Sequence, residues 1–167
     1  MNTIADAKVV TGLVPGSDDD TYVLGDVDEA RKIAERSLDV ARRFSEAIIK
    51  RDIETAYALC ANEFRCSFGI KRFVSNLEKA DGEYSGKPIS YTLKHITWIY
   101  ADEASRKQSN KEGDWPKETP KPNKRAYVGG WWTAQKTKEG EFGRSVFFWV
   151  TEEPEGYRIA KFKQYHQ

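Results

Sequence analysis

Ile89-Ser90-Tyr91-Thr92-Leu93-Lys94-His95-Ile96-Thr97-Trp98-Ile99-Tyr100 is the stretch on which the fold turns, because its character alternates at every second residue. Ile89, Tyr91, Leu93, His95, Thr97 and Ile99 take one side, and Ser90, Thr92, Lys94, Ile96, Trp98 and Tyr100 the other. A period of two is a β-strand, and one this long must twist or bend, since ordinary strands run about five or six residues. Upstream of Pro88 the period is helical. Asp26, followed by Glu29, is a capping-box-like start for a long amphipathic helix ending near Lys50. Its apolar stripe is Ala30, Ile33, Ala34, Ser37, Ala41, Phe44, Ala47 and Ile48, opposite Arg31, Glu35, Asp39, Arg42, Arg43 and Glu46. Asp52 starts a second helix carrying Ile53, Ala56, Tyr57 and Cys60, closed near Asn62 and Glu63, with Phe64 packing back on the core. A third runs from Ile70 to Asp81-Gly82 on a stripe of Phe73, Val74, Leu77 and Ala80.

Downstream, strands are expected at Arg125–Thr137, Phe142–Glu152 and Tyr157–Tyr165. Lys138-Glu139-Gly140-Glu141 and Glu153-Pro154-Glu155-Gly156 supply the hairpin turns. Gly129-Gly130 inside a strand marks a bend or bulge. Residues 101–124 hold three of the six prolines and mixed charge, the composition of a mobile exposed loop, in which Trp115 could anchor a partner. Residues 1–25 read as a flexible arm with Pro15-Gly16 and the run Asp18, Asp19, Asp20. Within it only Val9-Val10 and Tyr22-Val23-Leu24 can dock, as short edge strands. Three helices followed by about four antiparallel strands make an α+β domain over residues 26–167.

Composition narrows the function. Twenty-seven Lys and Arg against 26 Asp and Glu leave a net charge of +1, which argues against a strongly basic nucleic-acid binder. Lys136, Lys138, Arg144, Arg158, Lys161 and Lys163 could form a local basic face, but Glu139, Glu141, Glu152, Glu153 and Glu155 adjoin it, so a nucleic-acid partner is not expected. No apolar run approaches the roughly 20 residues that span a bilayer, and residues 1–10 are too mixed for a secretory signal core. Cys60 and Cys66, with two His, write no zinc site by the usual spacings, and no metal or other cofactor is expected. Two buried thiols in a reducing cytoplasm is the simplest reading.

The helix opening Arg51-Asp52-Ile53-Glu54-Thr55-Ala56-Tyr57, then Phe64 and a third helix, resembles the start of the nuclear-transport-factor-2-like superfamily. The aromatic strands ending Gly156-Tyr157-Arg158-Ile159-Ala160-Lys161-Phe162 resemble its closing hairpin. The closest likeness is to small bacterial domains without assigned function, over residues 27–165. The resemblance implies a cone, in which a strongly curved antiparallel sheet wraps the long helix and leaves a cavity at its open end. Members include isomerases, dehydratases, cargo binders and assembly domains, so the fold does not choose a function.

Enzymes of that superfamily place an acid or base inside the cone. His95 at mid-strand and the Tyr57 phenol are the weak catalytic candidates, but the carboxylates sit at caps, turns and the outer helix face. The expected cavity is therefore lined by aromatics without a carboxylate pair. Tyr57, Phe73, Trp98, Trp131, Trp132, Phe148 and Trp149 are the residues expected in a pocket or interface. The leading function is a non-catalytic domain holding a small apolar ligand or a protein segment. The alternatives are an assembly or immunity-type module and an isomerase- or dehydratase-type enzyme. Tyr127 and Trp131 oppose Val128 and Trp132, and Phe147 and Trp149 oppose Val146, Phe148 and Val150, so helices on one face leave a second aromatic face uncovered. A homodimer through that outer face is expected, with Tyr22, Val23 and Leu24 as the competing cover.

Overall fold

Helix starts and strand alternation are local, and the computed structural model, which describes residues 7–84, 86–101 and 124–166, keeps most of them. Asp26 caps α1 (Val27–Ile49), its carboxylate accepting from the Glu29 N–H at 2.9 Å. Asp52 caps α2 (Ile53–Ala58) by accepting from Thr55. Between them Arg51 takes φ 56°, a left-handed turn that redirects the chain. Three helices were expected, and four form among the described residues. The second stops at Ala58 because Leu59 to Ala61 leave the helix to pair with a strand: Ile159 N–H donates to Leu59 O, and Ala61 N–H to Ile159 O, both at 2.8 Å. The chain then re-enters as α3 (Asn62–Ser67), whose first amide donates to the Glu153 carboxylate at 2.9 Å. Next comes α4 (Ile70–Glu83).

The sheet has six strands in sequence order: β1 (Lys8–Thr11), β2 (Asp20–Leu24), β3 (Ser90–Tyr100), β4 (Ala126–Thr137), β5 (Gly140–Glu153) and β6 (Gly156–His166). It is mixed rather than wholly antiparallel, because β2 lies parallel to β3, with Tyr22 opposite Trp98. A parallel pair needs a crossover, and α1 to α4 provide it. Residues 8–24 are therefore not a free arm. Val23 and Leu24 are buried and so is Leu13 in the turn between β1 and β2. Of the expected loop, residues 102–123, Trp115 among them, lie outside the described residues.

One core lies between the helices and the inner sheet face. Phe44 of α1 is its hub, with ring centroids of Phe162, Phe148, Phe73 and Trp132 at 5.2, 5.8, 6.2 and 6.3 Å. The Trp132 indole N–H donates to Ser45 Oγ at 3.0 Å, which sets where α1 sits on β4. A second cluster occupies the outer face: Leu24, Trp98, Tyr100, Tyr127 and Trp149, with Tyr22 stacked on Trp98 at 4.7 Å. The premise of the dimer fails here. Trp98, Tyr127 and Trp149 keep only 4%, 4% and 7% exposure in the single chain, so this set is not left in water. Leu24 and Tyr22 contribute as strand neighbours in the sheet and not as a flap over it.

A buried ion pair joins α4 to β5. Arg144, one of the residues that could have formed a basic face, is 1% exposed, so no basic groove includes it. Its Nη2 donates to Asp81 Oδ1 at 2.9 Å, and its guanidinium lies over the Tyr84 and Trp132 rings at 5.8 and 5.5 Å. Asp81 also pairs with Arg51. Burial pulls the Arg144 basicity down, and the Asp81 carboxylate partly restores it.

Candidate functional site

His95 does not enter the interior. The ladder between β3 and β4 shifts register between Leu93 and His95, and again between Ile96 and Trp98. Each bulge adds a residue and turns the following side chains over. Leu93 and Ile96 thus both face the helices, whereas the His95 ring lies on the outer face against Gly129, where an added Cβ would stand 2.9 Å from Cε1. Gly129-Gly130 therefore lies opposite the bulge and makes room for it. Among the described residues no carboxylate bonds to the His95 ring.

Tyr57 shares the helix face expected of it but is engaged elsewhere. Its hydroxyl donates to Phe68 O at 2.6 Å, with Arg65 O at 3.3 Å, and its ring meets Phe73 at 5.6 Å. It fastens the end of α3 to α2. Cys60 is buried, its thiol pushed up to about 12 by burial, so it is not a poised nucleophile, while Cys66 is exposed on α3. Tyr91 of β3 meets Glu46 of α1 at 2.9 Å, a contact that sequence reading missed. That hydroxyl, more than Arg42 beside it, holds the Glu46 carboxyl below its ordinary value. Burial first and then Glu46 raise the Tyr91 phenol.

A pocket lies along β6, between that strand and the pair α3 and α4, with a volume of about 530 Å³. This is within the range of clefts that hold small molecules. Phe64 of α3 and Phe68, the extended residue that ends it, bring their rings together, with centroids 5.3 Å apart. Phe73 of α4 meets Phe64 edge-on at 5.9 Å, and Phe162 of β6 closes the floor at 6.4 Å from Phe73. Trp149 reaches the pocket from the outer sheet face, so the hollow meets rings of both clusters at the sheet edge. Its polar lining is Ser67, Asn76, Gln164, three lysines (Lys124, Lys161, Lys163) and one carboxylate, Glu63, which pairs with Lys124. Among the described residues no second carboxylate lines it.

Of the seven residues expected in a pocket or interface, Phe73 and Trp149 line this one. Trp132 and Phe148 are spent on the inner core, Trp98 on the outer cluster, and Trp131 is half-buried beneath Lys94 at 5.5 Å. Phe68, Phe162, Lys124 and Gln164 were not foreseen. The spacing of Phe64 and Phe68 was the available signal, lost because the stretch was read as a helix end. A larger hollow, about 960 Å³, runs beside the exposed face of α1, where Arg42 and Arg43 both pair with Asp39. Among the described residues no helix is long and apolar enough to cross a membrane, and no group of three His, Cys, Asp or Glu could hold a metal ion. No family model, curated protein or solved structure matches the chain.

Proposed function

We propose that this chain is a non-catalytic binding domain, of nuclear-transport-factor-2-like architecture, that holds a small apolar molecule in the pocket between α3, α4 and β6. The observation that carries the reading is an open cavity walled by Phe64, Phe68, Phe73, Phe162 and Trp149, in which the one carboxylate among the described lining residues, Glu63, is already paired. An apolar guest gains from leaving water there, at about 25 cal/mol per Å² buried. Acid–base chemistry would need a positioned proton acceptor, and the two candidates are placed elsewhere: His95 faces outward and the Tyr57 proton is committed to a backbone carbonyl. An assembly module would be expected to fill its interior, so the unfilled volume at the β6 edge favours the binder.

The test is titration with N-phenyl-1-naphthylamine, a neutral fluorophore that brightens out of water. Saturable binding at one site per chain is expected. Ser67→Trp replaces an exposed lining residue with one that fills the mouth, and it should abolish that binding while the melting temperature stays near that of the parent. Absence of saturable binding, or binding indifferent to Ser67→Trp, would overturn the reading.

A further inference from the structure

We infer that the guest of this pocket is peptide-like, an apolar side chain set between an acyl carbonyl and an amide N–H that pair with the backbone edge of β6; this rests on the binding reading above and names its ligand class. The hollow lies against an edge of the sheet and not against one face. Its lining takes in Ala160, Lys161, Phe162, Lys163 and Gln164 in succession. Phe162 joins the inner rings, whereas Lys161 and Lys163 lie over Trp149 on the outer face. What borders the hollow between them is the side of β6 turned away from β5.

The register tells which residues turn their backbone that way. Along an antiparallel pair, successive residues direct their N–H and C=O alternately to one side and the other. Val150 O accepts from the Arg125 N–H at 2.6 Å on the β4 side, so Val150, Phe148 and Val146 all face β4. Their partners Ile159, Phe162 and Gln164 therefore face away from β5. Two bonds agree with this. Ile159 is held on that side by Leu59 and Ala61, and Gln164 O accepts from the Tyr84 hydroxyl at 3.4 Å. Phe162 stands between these two ends, and among the described residues no backbone group bonds to it on the outward side. An unpaired strand edge takes up extended backbone.

The chain itself shows what fits such an edge. At Ile159 the segment Leu59–Ala61 offers a carbonyl to the N–H and an N–H to the carbonyl, each at 2.8 Å. It also places the Cys60 side chain on the same buried face as Ile159. A guest that repeats this at Phe162 would supply one acyl carbonyl and one amide N–H. Its side chain would fall on the Phe162 face, among Phe64, Phe68 and Phe73. The open interval is short, because Ile159 is occupied at one end and the Gln164 carbonyl is engaged at the other. It suits a single acylated residue amide and not a long strand.

Three small ligands separate the features. N-acetylphenylalanine N-methylamide has all of them, its N,N-dimethylamide lacks the N–H, and N-acetylglycine N-methylamide lacks the side chain. In displacement of N-phenyl-1-naphthylamine from the full chain, the first should bind most tightly. Loss of the N–H should weaken binding by roughly two- to tenfold, the scale of one net hydrogen bond. Loss of the ring should weaken it further. Amide-resolved hydrogen exchange locates the contact. The Phe162 N–H should exchange faster in the free chain than those of Lys161 and Lys163, which face β5, and should slow when the first ligand saturates. Ser67→Trp should prevent that slowing. Equal displacement by the two phenylalanine amides, with Phe162 exchange unchanged, would overturn the edge pairing and leave the apolar pocket standing. Failure of all three amides to displace a bound fluorophore would do the same. No fluorophore uptake, together with no change at Phe162, would overturn the pocket itself and this inference with it.

Discussion

At the scale of single residues, environment separates groups that composition treats alike. Both cysteines are free, but Cys60 is buried with its thiol pushed up to about 12, whereas Cys66 is exposed. A thiol-specific reagent at pH 8 should therefore modify one thiol per native chain quickly, at Cys66, and reach Cys60 only on unfolding; two fast thiols would contradict the burial. Arg144 and Asp81 form the costliest polar contact in the core. Asp81→Ala strands a guanidinium that is 1% exposed and should cost about 3–5 kcal/mol in denaturant unfolding. Arg144→Met should cost less, because Asp81 keeps Arg51. The reverse order would count against the cluster. For Tyr91 and Glu46 the direction of the pH effect follows from the two shifts. Glu46, held below its ordinary 4.5, stabilises the fold above that value and stops doing so as pH falls through its lower folded value. Tyr91, raised above its ordinary 10.0, gives stability below that value that fades as pH climbs through its higher folded value. The melting-temperature gap between the parent and Tyr91→Phe should thus be widest between the two and shrink below about pH 4.5. A gap that grows on acidification would show the contact is not ionic.

At the scale of elements, close approach between strands decides which substitutions the sheet accepts. A Cβ on Gly143 of β5 would stand 2.0 Å from the Trp132 carbonyl oxygen of β4, and backbone cannot yield as a flexible side chain can. Gly143→Ala should destabilise by at least about 1–3 kcal/mol, the scale of an overpacked site. Gly140→Ala is a different case: it has open space but a φ of 135°, so its penalty is conformational. A Gly143→Ala protein as stable as its parent would mean the ladder there can part. The helix starts and the alternation of β4 and β5 were readable because caps and periods are local. The end of α2 was not, because Leu59 to Ala61 leave the helix to pair with Ile159, a partner about 100 residues away.

At the scale of the whole molecule, β1 and β2 complete the sheet and the outer cluster. A chain begun at Asp26 would lose buried Leu13, Val23 and Leu24, uncover the edge of β3 and remove Tyr22 from Trp98. It should melt lower than the full chain and show a larger scattering mass at equal concentration, since an exposed apolar edge invites pairing with another chain. Equal melting and equal mass in the two chains would show that β1 and β2 are dispensable.

The sequence by itself determined the α+β class, the long capped helix and the strand alternation, all of which rest on period and caps. Tertiary structure alone decided three things. Two bulges in β3 turned His95 outward, because a bulge answers to the register of the neighbouring strand. The first strands joined the sheet in a parallel pairing, because their partner lies beyond four helices. The pocket formed where Phe64, Phe68 and Phe73 meet Phe162 at the β6 edge, because only the packing of α3 and α4 on that strand brings the helical rings to Phe162.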